Sequence, residues 1–206
     1  LLRADEHVRL ARDPAAFGRE CDALPERSWI VVDEVQRVPA LLDEVRLLLG
    51  EAELESDPKA ALEAFRAVKA PALEDARLRG EGFALAAAGD HAGAARAFET
   101  LVSRHPESRH APEAALHGGI ARLRGGDARG AVARLSALAK SGDGETLYWL
   151  AQAEKGAGDT RAALATLERA LRAKPAAELA GRLEVLRGDC LVAEGRPEEA
   201  LAAFER

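Results

Sequence analysis

The segment Gly89–Phe98, GDHAGAARAF, decides the fold because variants of it recur along most of the chain. The other copies are SDPKAALEAF at 56–65, GDARGAVARL at 126–135, GDTRAALATL at 158–167 and GRPEEALAAF at 195–204. Subtraction of their first positions gives spacings of 33, 37, 32 and 37 residues. A period of about 34 residues is typical of stacked helix pairs.

Each position of the repeated segment has a physical role. The glycine lets the chain leave a first helix with positive φ, and the following aspartate caps the second helix. A small alanine then lies where the two helices cross, and a large apolar residue lies one turn later on the same face. Pro106 and Pro175 end two of the second helices, because proline cannot donate the next hydrogen bond. The alanines are Ala61, Ala94, Ala131, Ala163 and Ala200, and the large residues are Phe65, Phe98, Leu135, Leu167 and Phe204.

Composition limits the classes of function. The 206 residues are 48% hydrophobic and 31% charged with a net charge of −6, and acids and bases alternate along the chain. This excludes the one-sided basic surface that nucleic acid or an anionic membrane would need. No apolar run approaches the roughly 18–20 residues of a membrane span, and the charged start is not a secretory signal, so we expect a cytoplasmic protein. The lack of methionine and the uncapped helical end predict that both ends are cut or processed.

From residue 51 to 206 the chain resembles the tetratricopeptide repeat family, which implies an all-α superhelical array of about five antiparallel helix pairs. Arg122 and Glu154 stand where the family has an aromatic or apolar residue, so we expect looser faces there. We expect long loops at 105–113 and 173–181 to account for the 37-residue spacings. The second copy matches best, with Leu78, Gly82, Leu85, Gly89, Ala94, Phe98, Leu101 and Pro106 at the signature positions.

The resemblance implies a concave groove, lined by the first helices, that receives a peptide or a partner helix. Each candidate could instead be a solvated or inter-repeat residue. Of the adjacent aromatics, we expect Tyr148 to face the groove and Trp149 the helix–helix core, and aromatics are frequent among binding hot spots. The groove candidates at helical spacing are Arg79, Phe83, Ile120, Arg124, Tyr148, Gln152, Lys155 and Asp189.

Residues 1–50 carry no copy of the repeat. The run WIVVDEVQRVPALLDEV, residues 29–45, predicts a short strand from Trp29 to Val32 that ends at Asp33 and Glu34. Pro39 can open a helix at its first turn, and this helix also falls where the first helix of the first repeat should lie. Its apolar residues Leu41, Leu42, Val45, Leu48 and Leu49 are expected on one face.

This segment resembles the Walker B strand and following helix of a prokaryotic AAA-type ATPase family. The resemblance implies that Asp33 holds a magnesium ion through water and that Glu34 polarises the attacking water. The phosphate loop G-x-x-x-x-G-K-[ST] is missing, because only Lys140 precedes Ser or Thr and Ala139 stands before it. We therefore expect no catalytic residue and no cofactor for this chain alone, and Mg-ATP only if other sequence completes the site.

The prediction is an interaction scaffold at 51–206 preceded by an ATPase-core fragment with one strand at 1–50, joined between Leu49 and Glu55. Its partner would be a protein or peptide, and self-association is left open. The alternatives are part of an ATP-binding AAA-type ATPase whose repeats recruit partners, and a structural cap on the first repeat. No metal site is expected, because His91, His105, His110 and His117 lack ligand spacing on one helix.

Overall fold

The computed structural model describes residues 19 and 39–205, and in this part of the chain the regular structure is helical with no strand. The predicted strand Trp29–Val32 lies outside the described residues. Two short 3₁₀ turns, Pro71–Leu73 and Ala139–Ser141, accompany the helices. The described α-helices are α1 Pro39–Glu53, α2 Pro58–Ala67, α3 Glu74–Ala87, α4 His91–Arg104, α5 Ala111–Arg124, α6 Ala128–Leu138, α7 Gly144–Gly156, α8 Thr160–Arg172, α9 Ala177–Ala193 and α10 Pro197–Phe204.

The chain forms two compact units, which divide between His110 and Ala111. In the first unit α1 packs on α2, α2 on α3 and α3 on α4. In the second unit each helix from α5 to α10 packs on the next, and the first helices of successive pairs, α5, α7 and α9, also contact one another. The sequence predicted the pairs but not this division.

The turns inside the pairs follow the predicted chemistry. Gly89 has φ 84°, and the next residue, Asp90, donates its N–H to the carbonyl of Leu85 to close α3. The Asp90 side chain then accepts from the Gly93 N–H at 2.8 Å and caps α4. This combination repeats at Gly126–Asp127, where the carboxylate accepts from the N–H of residue 130, and at Gly158–Asp159. One Gly-Asp step thus ends one helix and begins the next.

The helix crossings are as tight as the alanines predicted. All five crossing alanines are at most 1% exposed. Phe65, in α2, is 1% exposed, and a Cβ added to Gly50 of α1 or Gly80 of α3 would lie 2.6 or 2.4 Å from its ring. The ring therefore lies in a slot that exists only because both neighbouring helices lack a side chain there.

Two apolar residues are more exposed than their pattern predicted. Phe204 is 47% exposed, because Gly188 of α9 covers its ring on one side and no described helix follows α10. Leu49 is 51% exposed, since it lies two residues, or about 200° of helix, beyond the buried Leu47. The buried face of α1 thus runs through Leu41 and Leu47 and leaves Leu49 outside.

Helix α1 is tied to α2 by a buried carboxylate. Asp43 is 5% exposed, and its Oδ2 accepts from the backbone N–H groups of Lys69 at 3.0 Å and Ala70 at 2.7 Å. Arg46 joins Asp43 Oδ1 to the carbonyl of Ala67 through a single Nη1. These bonds satisfy the backbone where the chain leaves α2, so α1 acts as the first helix of a pair with α2.

One 37-residue spacing has a different origin from the one predicted. Of the predicted loop 105–113, residues 105–110 lie outside the helices, and α5 begins at Ala111. Of the predicted loop 173–181, only residues 173–176 lie outside the helices, because α9 begins at Ala177 and runs for 17 residues. The extra residues lengthen a helix there, which keeps their backbone groups hydrogen-bonded.

The alanine crossing can be tested at Ala94, which is 0% exposed. Ala94→Leu should overpack the α3–α4 crossing and lower the free energy of unfolding by about 1–3 kcal/mol. The matched control is Ala92→Leu, an exposed position of the same helix, which should change it by less than about 0.5 kcal/mol. Thermal unfolding followed by circular dichroism measures both, and equal melting temperatures for the two variants would contradict the assigned crossing.

The slot around Phe65 gives a second prediction: Gly→Ala should change the free energy of unfolding in opposite directions at two helical glycines. Gly80→Ala should destabilise the protein by about 1–3 kcal/mol despite alanine's better helix propensity, because the new methyl group meets the Phe65 ring. Gly181→Ala, where nothing lies within 4 Å of the added Cβ, should stabilise it by roughly 0.5–1 kcal/mol. Denaturant titration reports both values. Stabilisation by both substitutions would show that the slot is not closed.

Candidate functional site

Two parallel rows of side chains on α7 and α9 form the best-defined surface of the second unit. The residues repeat at the same helical spacing on both helices, and the two helices pack on each other. We call this surface the A-helix face. It consists of Glu145, Tyr148, Gln152 and Lys155 on α7 and Arg182, Val185, Asp189 and Val192 on α9.

Arg182 organises one end of the A-helix face. Its Nη1 and Nη2 donate to the two carboxylate oxygens of Glu145, each at 3.1 Å. Its Cζ lies 4.1 Å from the ring centroid of Tyr148. Hydrogen bonding to Glu145 is the main cause that raises the pKa of Arg182, and the Tyr148 hydroxyl adds to it. The Arg182 cation thus lies between an acid and the Tyr148 ring, and these contacts limit the orientation of the ring.

A second ion pair, Lys155–Asp189, lies at the other end of the A-helix face. Lys155 Nζ donates to Asp189 Oδ2 at 2.7 Å, and both side chains remain partly exposed. Between the two ion pairs, Gln152 Nε2 donates to the Tyr148 hydroxyl at 2.6 Å. Four of the predicted groove residues, on α7 and α9, therefore form two contacting pairs, Tyr148–Gln152 and Lys155–Asp189. Such half-exposed pairs stabilise the fold by little, but they fix side-chain positions.

The adjacent aromatics do not divide between groove and core as predicted. Tyr148 and Trp149 are both half-buried, and their rings meet edge to face with centroids 5.3 Å apart. The Trp149 Nε1–H donates to Glu145 at 2.9 Å, and the Arg124 guanidinium lies 5.6 Å from the Trp149 ring. Trp149 thus faces α5 and Tyr148 faces α9. If Trp149 were fully buried, its indole N–H could not donate to the exposed Glu145 carboxylate.

The other groove candidates lie elsewhere. Ile120 is only 6% exposed, so the core rather than a partner receives its side chain. In the first unit, Arg79 Nη1 lies 3.8 Å from Glu51 Oε1, and Arg79 Cζ lies 5.1 Å from the centroid of the Phe83 ring. The Phe83 ring in turn meets Phe98 edge to face. Arg79 and Phe83 thus repeat, in the first unit, the stacking of a cation on a ring.

Sequence reasoning missed half of the A-helix face. It omitted Glu145, Arg182, Val185 and Val192, of which the two valines are 55% and 57% exposed. The signal was available, because positions 182, 185, 189 and 192 repeat the spacing of 145, 148, 152 and 155.

Glu154, in α7, is a half-buried acid of the second unit. Its Oε2 is buried without a hydrogen-bond partner. Burial raises the pKa of Glu154; a hydrogen bond with Thr166 opposes the rise, and the charge of Asp159 adds to it. Arg122, the other departure from the family pattern, instead donates from Nη1 to Asp127 at 2.5 Å. Arg122 thus pairs with an acid, whereas Glu154 bonds Thr166 but keeps its buried Oε2 without a hydrogen-bond partner.

The structure does not describe Asp33 and Glu34, so the magnesium–ATP hypothesis stays a prediction. Among the described residues no group of three or more His, Cys, Asp or Glu side chains is arranged to hold a metal ion. Within that same part of the chain, no helix combines the length and the apolar character required to cross a bilayer.

Glu154 yields a pH-dependent prediction. A raised pKa means that the folded state binds the Glu154 proton more tightly than the unfolded state does. Proton binding therefore adds to the free energy of unfolding at low pH, and this stabilisation is lost as pH rises through the pKa of the folded state. Glu154→Gln should therefore raise the melting temperature at pH 7 by about 2–4 °C, and the gain should shrink at pH 4. Glu168→Gln, an exposed acid on α8, is the control. A gain that is equal at both pH values would contradict this account.

Comparisons with known proteins agree with this architecture. The profile of the family described as tetratricopeptide repeat-like domain matches residues 55–206. No curated protein sequence matches the chain.

Among solved structures, MamA from Desulfovibrio magneticus RS-1, residues 41 to the end, is similar with a TM-score of 0.67 and 19% identity, over 79% of this chain and 91% of that one. A structure described as MamA AMB-1 is similar with a TM-score of 0.63 and 18% identity, over 84% of this chain and 90% of that one. At this identity the likeness concerns the fold alone. Because the family profile spans most of the sequence, the chain belongs to the tetratricopeptide repeat-like family.

Proposed function

We propose that this protein is an interaction scaffold in the cytoplasm, which binds a protein or peptide partner on the A-helix face. The observation that supports this most is the bidentate Arg182–Glu145 pair stacked on Tyr148. A ring and a cation fixed before binding lose little conformational entropy when a partner arrives.

The residue types of this face suit recognition rather than a reaction. Tyrosine and arginine are enriched among binding hot spots, and here they lie side by side on the rigid first helices. The acids and bases of the face are engaged with one another, so none is left as an activated nucleophile or base. Stacked helix pairs that present their first helices to a partner are the usual binding mode of such repeats.

The alternative function as part of an AAA-type ATPase depends on Asp33 and Glu34. It requires a phosphate loop that residues 1–206 lack. We keep it as a second hypothesis that concerns residues 1–50 only, and it does not compete for the A-helix face.

Site-specific photo-crosslinking tests the scaffold function. A photo-reactive residue in place of Gln152, at the centre of the face, should capture a partner in cells. The same residue in place of Glu168, exposed on α8, should not. With the captured partner purified, Tyr148→Ala combined with Arg182→Ala should weaken binding at least about tenfold.

Identical crosslinked species from both positions would contradict the proposal, as would unchanged affinity of the double variant. Circular dichroism of the double variant separates lost binding from lost folding.

A further inference from the structure

The loop from His105 to His110, which follows α4, is fastened to the beginning of α3 at two points. His105 Nε2 lies 3.0 Å from Glu74 Oε2. Three residues further along the loop, the Ser108 hydroxyl donates to Asp75 Oδ2 at 2.6 Å and accepts from the His110 N–H at 3.1 Å. Glu74 and Asp75 are the first two residues of α3. Two adjacent carboxylates therefore bind the loop at its first residue and again near its middle.

Permanent cations keep the first carboxylate charged. Arg104 Nη1 donates to Glu74 Oε1 at 2.8 Å, and Arg77 Nη2 donates to the same oxygen at 3.3 Å. The hydrogen bond with His105 is the main cause that lowers the pKa of Glu74; burial opposes this effect and Arg104 adds to it. Histidine, by contrast, commonly changes its charge between about pH 5 and 8. Within the His105–Glu74 pair, the imidazole is therefore the group that responds to pH in this range.

Protonation of His105 strengthens its contact with Glu74. The neutral imidazole donates from Nε2 in only one of its two tautomers, whereas the imidazolium always carries this proton and forms a charge-assisted hydrogen bond. His105 also caps the C-terminal end of α4, where the partial negative charge of the helix favours a cation. The side chains of His105 and Glu74 are 28% and 25% exposed, so the solvent screens their charges only in part.

The second contact responds less to pH. Burial raises the pKa of Asp75, but the hydrogen bonds from Ser108 and from a backbone N–H, with the charges of the two loop histidines, lower it overall. Arg109 Nε donates to His110 Nε2 at 3.2 Å, which favours the neutral form of that imidazole. Asp75 therefore stays ionised near neutral pH, and its bond with Ser108 persists when the first contact weakens.

Solvent reaches both contacts through a cavity in the first unit. The cavity has a volume of about 420 Å³ and is lined in part by Asp75, His105 and Ser108. Two more charged residues, Arg104 and Glu107, line it as well. Protons can thus reach the His105 imidazole without any opening of the helix pair.

We infer that the loop 105–110 is a pH-sensitive latch, in which protonation of His105 tightens its contact with Glu74 and holds the loop against α3. The ion pair requires His105 as a cation and Glu74 as an anion. The loop is therefore held more tightly in mildly acidic solution and less tightly as pH rises above neutrality. This inference does not depend on the A-helix face, which lies in the second unit.

Hydrogen exchange of the whole chain at about pH 7.5 and about pH 5.5 tests the inference. The Ser108 N–H donates to the His105 carbonyl at 3.0 Å, and the His110 N–H donates to Ser108, so these two amides report whether the loop is closed. After correction for the intrinsic pH dependence of exchange, the protection factor of the Ser108 amide should rise at least about threefold on acidification. Equal protection at both pH values would overturn the inference.

Charge-removing variants identify the group that responds. His105→Gln keeps a polar side chain without a titratable charge, and Glu74→Gln removes the charge of the acceptor; each should abolish the rise in protection. His91→Gln, at the first position of α4, is the matched control and should retain the rise. A rise that survives His105→Gln would contradict the inference, as would a rise that is lost in His110→Gln but kept in Glu74→Gln.

Ser108→Ala separates the two contacts. The substitution removes the acceptor of the His110 N–H and the donor to Asp75, so protection of the His110 amide should fall at both pH values. The rise at the amide of residue 108 should persist, because His105 and Glu74 remain; its loss would contradict the inference. Circular dichroism confirms that each variant folds, and if one does not, the pH dependence of the unsubstituted protein still decides the question.

Discussion

The close approach of paired helices at positions without bulky side chains is the constraint on which the structure depends. At Phe65 this constraint acts from two sides, because Gly50 and Gly80 each leave room for the same ring. Gly82 does the same for Phe98, and Gly119 for Leu135. A single methyl group at such a point would displace a ring or a helix, and tightly packed interiors transmit such a shift. The short distance between these helices therefore depends on glycines at the points where they approach most closely.

The surface that we propose for binding likewise depends on the packing of neighbouring first helices. The first helices α7 and α9 lie close enough for Lys155 to meet Asp189 and for Arg182 to reach Glu145 and Tyr148. The ion pairs are partly exposed and contribute little to stability by themselves. Their effect is to limit the positions of the polar side chains on α7 and α9 that take part in them.

Much of this fold could be predicted from the sequence, for local reasons. The Gly-Asp turns, the crossing alanines and the ends of the second helices each follow from backbone chemistry at a few adjacent residues. The spacing of the turns gave the register between copies, and the family resemblance added the superhelical array. The exposure of individual side chains could not be predicted from nearby residues alone. Phe204 repeats the pattern of Phe65, but the exposure of its ring depends on whether another helix packs over it.

The candidate site was predicted only in part, for a related reason. Tyr148, Gln152, Lys155 and Asp189 were identified by helical spacing on the first helices. Trp149 was predicted to face the core; it packs against the buried core but stays half-buried, and its indole N–H donates to Glu145. Ile120 was placed in the groove, although an aliphatic side chain at that position gains more from burial.

Native-state hydrogen exchange of α1 and α2 tests the central claim most directly. Helix α1 is the first helix of the first pair, since Asp43 accepts from the Lys69 and Ala70 amides and the Phe65 ring packs against Gly50. We therefore expect the amides of residues 43–53 and 61–70 to exchange together, with similar free energies of opening. Rapid exchange across α1 while α2 stays protected would contradict the account, because α2 would then keep its structure without its partner helix.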